Sequence, residues 1–353
     1  MKQAPKTFLF YLGHPAHYHN VSVVIRQLSE KGYKVLLVAR GKDVLFDLLK
    51  DLPYEIIYLK PKKGTGKLSL ITTVVKREMV LFRLALKYQP KMLIGTDIVI
   101  AHVGKLLGIP SVILNEDDAK EVPFLAKLGF KYATAVFSPS CCNISPYDAK
   151  KIVYQGYHEL AYLHPNYFTP DREKVKELLV DGDKYFILRF AELTAHHDDG
   201  KKGISTKLAL QLIEKLTPFG RVYITSERKL ETELEAYRIK INPKNIHHAI
   251  YYAHIYIGDS QTMAAEAAVL GTPSIRFNDF VGKLGYLEEL EHRYQLTYGI
   301  STQESEKLLS KVNELLEDAN LLETSRTRRE KMLRESDDVA QLWENYFIAN
   351  KKK

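Results

Sequence analysis

The sequence has little cysteine, no long apolar run at its start and no zinc-binding spacing. Of its 353 residues only Cys141 and Cys142 are cysteines, and they are adjacent. Adjacent cysteines disfavour an ordinary structural disulfide and fit a reducing compartment. Residues 1–10 contain two lysines and only a short apolar run, which is neither a signal peptide nor a membrane span. These absences disfavour secreted disulfide-rich proteins and predict a cytoplasmic protein.

Two motifs of nucleotide-dependent enzymes are also missing, namely the glycine-rich dinucleotide fingerprint and Asp-x-Asp. The loop after the first predicted strand instead reads Gly13-His14-Pro15-Ala16-His17-Tyr18-His19. Three histidines suggest a metal, but no acidic or thiol partner accompanies them locally. A histidine acting as a base or as a hydrogen-bonding group fits the pattern better. The sequence therefore predicts no cofactor and no metal.

Length and composition favour two α/β domains in a soluble globular chain. Hydrophobic residues make up 45% of the sequence and charged residues 27%, which is ordinary for such proteins. A chain of this length exceeds one typical domain. We predict an N-terminal domain at 1–165 and a C-terminal domain at 166–335. A last helical segment, 336–353, has apolar residues at helical spacing and is expected to pack back on the first domain.

The positive charge is concentrated in the first half. The net charge is +8, yet residues 1–165 hold 23 Lys and Arg against 13 Asp and Glu, and the remainder holds 28 against 30. Nine basic residues lie in 60–91, beside an apolar stripe at 68–86. Such a helix suits an anionic membrane surface, and it equally suits a core-packed helix with a solvated basic face. Nucleic acid is disfavoured, because no recognisable binding module is present.

Short apolar strands alternate with helical patterns, which predicts a parallel sheet in each half. Polar residues follow two of the predicted strands, at Gly95-Thr96-Asp97 and at Asn115-Glu116-Asp117-Asp118. The acidic triplet 116–118 is expected either to cap a helix or to supply a carboxylate to a cleft. We interpret 151–171 as the crossover between domains. The predicted strands are 7–12, 34–39, 54–59, 92–95, 111–114 and 135–138, then 185–190, 221–225 and 255–258, and the predicted helices include 21–30, 204–216, 229–237 and 246–253.

The most informative stretch is 256–276, which predicts a strand, a helix and a second strand. Ser260, Gln261 and Thr262 lie where the helix begins, so its free amides and dipole favour a phosphate. Glu266 follows one turn later, at a spacing that allows a carboxylate to reach a sugar attached to that phosphate. An ordinary capped turn with a solvated glutamate fits the same residues. A second loop, 189–200, contains Arg189 and His196 after a predicted strand.

Taken together, these motifs resemble the glycosyltransferase-B fold, in which two Rossmann-like parallel-sheet domains face each other across a cleft. Within that fold the chain is most similar to an uncharacterised family of predicted glycosyltransferases, domain of unknown function 354. The resemblance rests on three segments of the sequence, which are 14–19, 154–163 and 258–263.

The resemblance implies roles by comparison with two characterised relatives. UDP-N-acetylglucosamine 2-epimerases have a serine and a glutamate at the spacing of Ser260 and Glu266, which implies that Ser260 contacts a diphosphate and Glu266 the ribose hydroxyls. Gln261 and Thr262 replace a glycine pair of those enzymes that allows close backbone approach. The lipid-linked N-acetylglucosaminyltransferase of cell-wall synthesis implies a base at His17, a glutamate at Glu116 and an acceptor met at a membrane surface.

The resulting prediction is a metal-independent glycosyltransferase that uses a UDP-sugar and acts on an acceptor that is lipid-linked or a surface polysaccharide precursor. The protein would then work at the inner face of the membrane, with contact through 60–91. A nucleotide-sugar 2-epimerase is the alternative, and a non-catalytic nucleotide-sugar-binding protein is a third. The predicted catalytic residues are His17, Glu116, Asp97 and His196, and the predicted substrate-binding residues are Gly13, His14, Arg189, Gly258, Asp259, Ser260, Gln261, Thr262 and Glu266.

Overall fold

A computed structural model describes residues 6–40, 43–59, 67–179, 184–191 and 203–349. The chain divides into two compact units. The first comprises Met1–Tyr167 together with Ser336–Lys353, and the second is Phe168–Glu335. Each unit is built on its own parallel sheet.

The first unit contains a seven-stranded sheet in the order β3-β2-β1-β4-β5-β6-β7, and every neighbouring pair is parallel. The central strand β1 is a continuous apolar run with all six residues buried, as expected for a strand covered on both faces. The predicted bounds of β1, β4 and β5 are confirmed. The strands are β1 (Thr7–Leu12), β2 (Lys34–Arg40), β3 (Glu55–Leu59), β4 (Met92–Gly95), β5 (Ser111–Leu114), β6 (Ala135–Pro139) and β7 (Lys151–Tyr154).

Six helices of the first unit follow its strands in the chain. Helix α4 begins at the capping side chain of Asp97 and ends at Gly108, whose φ of 64° is the left-handed conformation that glycine adopts without strain. The helices are α1 (Pro15–Glu30), α2 (Asp43–Leu49), α3 (Lys67–Tyr88), α4 (Ile98–Leu107), α5 (Pro123–Leu125), continued by a π-helical turn Ala126–Phe130, and α6 (Leu160–Leu163).

Helix α1 begins six residues earlier than the sequence indicated. His14 caps it by accepting a hydrogen bond from the Ala16 amide at 3.3 Å, and Pro15 occupies the first helical position, where its missing N–H costs nothing. The predicted loop at 13–20 is therefore wrong beyond His14, and both His17 and His19 are helical.

The second unit contains a five-stranded parallel sheet in the order β12-β11-β10-β8-β9. Its core lies between the buried faces of β8, β9 and β10 and the apolar side of α7. The elements are β8 (Tyr185–Phe190), α7 (Thr206–Leu216), β9 (Arg221–Ser226), α8 (Ile246–Tyr252), β10 (Ile255–Gly258), α9 (Gln261–Leu270), β11 (Ser274–Phe277), α10 (Gly285–His292), β12 (Thr297–Ile300), α11 (Ser305–Glu317) and α12 (Leu321–Arg334).

The predicted helix at 229–237 was wrong. It is a 3₁₀ segment, Thr232–Tyr237, because Thr232–Tyr237 buries only Leu234 and lacks the apolar face that holds a helix to a core. The boundary between the two units, at 167–168, lies inside the predicted crossover at 151–171, which also contains strand β7 and α6. Strand β12 was not predicted. The other 3₁₀ turns are Asp148–Lys150, Glu173–Val175, Thr217–Phe219 and Pro243–Asn245.

The last described helix, α13 (Val339–Ala349), belongs to the first unit. Trp343 and Phe347 are fully buried, with ring centroids 6.0 and 5.9 Å from that of Phe137. The Lys91 ammonium group donates to the Phe347 carbonyl at 2.9 Å. Because large aromatic side chains bury more apolar surface than any others, α13 is part of the first core.

Candidate functional site

The carboxyl ends of β1 and β4 lie side by side in the first sheet, and they form its topological switch point. Strand β2 pairs with one side of β1, and β4, which begins the other half of the sheet, pairs with the opposite side. Ligands of open α/β sheets bind outside the carboxyl ends of strands at such a point. Gly13 and His14 follow β1, and Thr96 and Asp97 follow β4. We call the residues gathered at this edge the first-sheet site.

His17 lies one turn inside α1 and is held at this edge by two neighbours. The Gly13 amide donates to its Nδ1 at 3.1 Å, and Thr96 Oγ1 lies 2.8 and 2.9 Å from its two ring nitrogens. Because Nδ1 accepts from Gly13, the imidazole proton sits on Nε2, which donates to Thr96. Burial, followed by His14 and Arg40, lowers the pKa of His17 to about 3. His17 is therefore a neutral, oriented imidazole at pH 7.

Asp97 performs two structural tasks. Its Oδ1 caps α4 by accepting from the Val99 amide at 3.2 Å. Its Oδ2 lies 3.5 Å from Arg40 Nη1 and 3.8 Å from Arg77 Nη1. Asp97, a predicted catalytic residue, thus caps α4 while it supplies one negative charge to two arginines.

Glu116 is paired with a residue to which the sequence analysis gave no role. Its Oε2 lies 3.5 Å from His158 Nδ1, and it accepts a hydrogen bond from the His158 backbone N–H. Asn20 Nδ2 also lies 3.3 Å from His158 Nδ1. The signal for His158 was its place in the 154–163 motif, where a histidine and a glutamate interrupt an aromatic and apolar run.

Burial shifts the pKa values of both members of the Glu116–His158 pair. Burial, reinforced by the charges of Glu159 and Asp117, raises the pKa of Glu116 well above its usual range. Burial lowers the pKa of His158 to about 3, so His158 is neutral at pH 7. Both shifts disfavour the charged forms.

Helix α3 carries the predicted basic and apolar surface. Leu81 and Ala85 pack into the first core, whereas Val75, Met79 and Leu86 are 45%, 46% and 54% exposed. Three basic residues on the same helix are also exposed, and they are Lys76, Arg83 and Lys87. Helix α3 thus has one side packed into the core and another side that exposes apolar and basic residues. Residues 60–66 of the predicted patch lie outside the described residues.

Helix α9 begins at the carboxyl end of β10, beside the switch point between β8 and β10 in the second sheet. Ser260 is its N-cap and accepts from the Met263 amide at 3.4 Å. Gln261 and Thr262 form the first turn and are partly exposed. An α-helix leaves its first amides without intrahelical partners, so the start of α9 can receive an anion. We call the residues around it the second-sheet site.

Asp259 is turned into the protein at this edge. It is 4% exposed and accepts hydrogen bonds from the amides of Ala191, at 2.6 Å, and Ile204, at 3.2 Å. Burial raises its pKa to about 6, against the effect of these two amides. A Cβ on Gly203 would lie 2.1 Å from Asp259 Oδ2, so only glycine allows this approach. Asp259 therefore bridges the backbone at Ala191 and at Ile204.

The other predicted residues of the second-sheet site are engaged in pairs. His247 Nε2 lies 3.0 Å from Glu266 Oε1, and both side chains are buried. Arg189 forms an ion pair with Glu227 and donates to Thr225 Oγ1 at 3.0 Å. Gly258 lies so close to Arg189 that a Cβ there would be 2.7 Å from the arginine Cβ.

The structure thus gathers the predicted residues into two sets, one in each unit. The predicted His196 lies outside the described residues. Across the described ranges, no group of three or more histidine, cysteine, aspartate or glutamate residues is placed to hold a metal ion. Both cysteines are free, with their sulfurs 4.0 Å apart.

Comparison with known proteins gives a family and a fold. A family model described as "Protein of unknown function (DUF354)" matches residues 10–348. No curated protein matches the chain significantly. The solved structures similar to this chain include glycosyltransferases and an epimerase.

A UDP-GlcNAc 2-epimerase from Neisseria meningitidis bound to UDP-GlcNAc is 14% identical over 98% of this chain and 100% of its own, with a TM-score of 0.66. MurG from Acinetobacter baumannii is 15% identical over 98% and 100%, with a TM-score of 0.62. The spinosyn rhamnosyltransferase SpnG complexed with thymidine diphosphate is 11% identical over 97% and 100%, with a TM-score of 0.65. These likenesses confirm the predicted glycosyltransferase-B fold.

Proposed function

The chain belongs to the family described as protein of unknown function DUF354, and from that premise we propose that it is a glycosyltransferase that moves a sugar from a nucleotide-diphosphate sugar to an acceptor. The observation that carries the proposal is the start of α9 at the carboxyl edge of the second sheet. Its partly exposed first turn, at Gln261 and Thr262, offers free amides to a diphosphate. Two of the similar structures hold UDP-GlcNAc and thymidine diphosphate.

In the proposed donor site the amides of α9 bind the diphosphate. Ser260 shapes the start of the helix as its N-cap. Arg189 adds a guanidinium whose Nε has no partner among the described residues, and Glu266 binds the ribose hydroxyls. Amides and a guanidinium stabilise a departing diphosphate, so the proposed reaction needs no metal. UDP is the proposed nucleotide.

In the proposed acceptor site His17 is the base. Its lowered pKa keeps the imidazole neutral at pH 7. In the proposed step the acceptor hydroxyl replaces the Gly13 N–H as the hydrogen-bond partner of Nδ1, and Nδ1 then takes the hydroxyl proton. Thr96 then holds Nε2–H and orients the ring, as a partner on the second nitrogen does in general-base histidines. Glu116, whose pKa is raised by burial, orients the site through His158.

The second candidate function is a nucleotide-sugar 2-epimerase. Two carboxyl groups, Asp97 and Glu116, follow the neighbouring strands β4 and β5, and the raised pKa of Glu116 suits an acid that returns a proton to a sugar carbon. An epimerase also needs no acceptor, and this difference separates the two functions.

The proposal is tested by thermal unfolding with nucleoside diphosphates and nucleotide sugars. A ligand at 100 times its dissociation constant stabilises the folded state by about 2.7 kcal/mol, so UDP and a UDP-sugar should raise the unfolding midpoint, whereas uridine, which has no phosphate, should not. No response to any nucleotide would remove the proposal. Incubation with the UDP-sugar alone should leave the sugar unchanged, and the appearance of an epimer would identify the second candidate.

We also propose that the acceptor, which is lipid-linked or a surface polysaccharide precursor, is met at a membrane surface that α3 contacts. Among the described residues no helix is long and apolar enough to cross a bilayer. The exposed Val75, Met79 and Leu86 beside basic residues fit insertion into an anionic interface.

Replacing Val75, Met79 and Leu86 by serine should weaken binding to vesicles that contain phosphatidylglycerol by about thirtyfold, since burying the exposed half of each apolar side chain contributes about 0.7 kcal/mol, or roughly 2 kcal/mol for the three. Co-sedimentation of the protein with the vesicles measures this binding. Leu106→Ser is the control, because Leu106 is a 73% exposed apolar residue on α4. Equal binding of the triple variant and this control would exclude α3 as the contact.

A further inference from the structure

We propose that Arg40 and Arg77 form a binding site for a phosphate group of the acceptor at the edge of the first sheet. The proposal rests on the proposed function, which it extends by naming the chemistry of the acceptor. Neither arginine is among the residues that the sequence analysis selected for catalysis or substrate binding.

Two separate elements bring these arginines to one point. Arg40 ends β2 and Arg77 comes from α3, and both approach the same Asp97 oxygen, at 3.5 and 3.8 Å. Their side chains are 33% and 17% exposed. A Cβ on Gly13 would lie 3.0 Å from Arg40 Nη2, so the guanidinium rests against the end of β1. The pair therefore lies at the switch point, beside His17.

The hydrogen-bonding groups at this point are largely unused. Across the part of the chain that the structure describes, the one acidic partner of either guanidinium is Asp97, at 3.5 and 3.8 Å, and each guanidinium carries five N–H donors. Asp97 supplies one negative charge against two positive ones, and its other oxygen caps α4. The hydroxyl of Tyr11, which is fully buried, also has no partner among the described residues. Arg77 and Arg40 both influence its pKa, so it lies near them.

Other arginines of this protein lie closer to their carboxylate partners. Arg238 binds Glu235 through two hydrogen bonds of 2.8 Å each, and the buried Arg276 donates to Glu291 at 2.5 Å. Arg40 and Arg77 instead lie 3.5 and 3.8 Å from their shared carboxylate. Two partly buried guanidinium groups with free donors and one excess positive charge match a phosphate, whose several oxygens accept paired N–H donors.

The test is the binding of inorganic pyrophosphate to the full chain, measured by calorimetry with and without saturating UDP. We expect a site that UDP does not displace. Arg40→Gln and Arg77→Gln should each weaken it about tenfold or more, as loss of hydrogen bonds to a charged group does. Arg83→Gln, a neighbouring exposed arginine on α3, should bind like the parent chain.

Asp97→Asn should strengthen pyrophosphate binding, whereas the two arginine variants weaken it. A gain in affinity cannot come from loss of folding, so this variant separates the two effects. Asparagine caps a helix as well as aspartate does, but it removes the internal counter-charge, so pyrophosphate should bind several-fold more tightly. Equal affinity in the parent chain, Arg40→Gln and Arg77→Gln would overturn the proposal. A protein that binds no UDP yet keeps an Arg40-dependent pyrophosphate site would refute the proposed function alone.

The source of the phosphate is distinguished by a second measurement with vesicles. If the acceptor phosphate is a lipid headgroup, vesicles of phosphatidylcholine with phosphatidic acid should bind the parent chain better than Arg40→Gln. If it belongs to a soluble acceptor, only the pyrophosphate titration should respond to Arg40→Gln. Either pattern supports the site.

Discussion

Replacing Glu266 by alanine is expected to abolish saturable binding of UDP. A carboxylate that accepts hydrogen bonds from two ribose hydroxyls contributes about 3 kcal/mol or more, which is about a hundredfold in affinity. The same change removes the hydrogen bond to His247, at 3.0 Å between buried side chains, and should cost about 1–3 kcal/mol of folding stability. Calorimetric titration with UDP, at a temperature where the variant is folded, measures the binding effect.

His247→Gln is the matched control for Glu266→Ala. It removes the imidazole partner of Glu266, on α8, and leaves the carboxylate in place. We expect this variant to lose stability and to retain UDP binding within a few-fold. If the two variants bind UDP equally well, Glu266 is a structural partner of His247, and the ribose is held elsewhere.

Replacing His17 by alanine is expected to lower the turnover number for sugar transfer about 10²–10⁴-fold, the usual contribution of a general base. UDP binding should not change, because the proposed nucleotide contacts all belong to the second unit. Product formation from a UDP-sugar at saturating donor and acceptor measures the turnover. Unchanged turnover would show that His17 is not the base, and would favour a protein that binds nucleotide sugars without converting them.

The pH dependence offers a second check on His17, and His19→Gln offers a matched variant on the same helix. The pKa of His17 is lowered to about 3, so the imidazole is already neutral at pH 5 and gains no further competence as pH rises to 8. The rate should therefore show no step near pH 6.5 that depends on His17.

His19 stacks on Tyr162 at 5.6 Å between ring centroids, and its replacement should leave turnover within a few-fold.

Much of the fold could be predicted because the strands of parallel sheets are continuous apolar runs. Strands such as β4, β5 and β8 needed only their own residues to be recognised. The start of α1 was missed because the cap there is His14, whose side chain is not among the usual capping residues. Strand β12 was missed because Thr297–Ile300 contains a glycine and only two fully buried residues, so its pairing with β11 decides its conformation.

The candidate sites were less predictable than the fold. The sequence showed that Glu266 lies about one helical turn after Thr262, but not that Glu266 meets His247 from another helix. It also showed a carboxylate at Asp97, but not the convergence of Arg40 and Arg77 on it, since these residues belong to three separate elements or their ends. Such pairings depend on tertiary packing, which spacing within one segment does not report.

The position of α13 has a consequence for the order in which the protein folds during synthesis. Domains generally fold from the N-terminus as the ribosome makes them. The first unit, however, receives Trp343 and Phe347 only after the whole of 168–335 has been made. Until then Phe137 and Phe10 lack their aromatic neighbours. The nascent first unit therefore exposes an apolar surface while the second unit is translated, and a chaperone can bind there until α13 covers it.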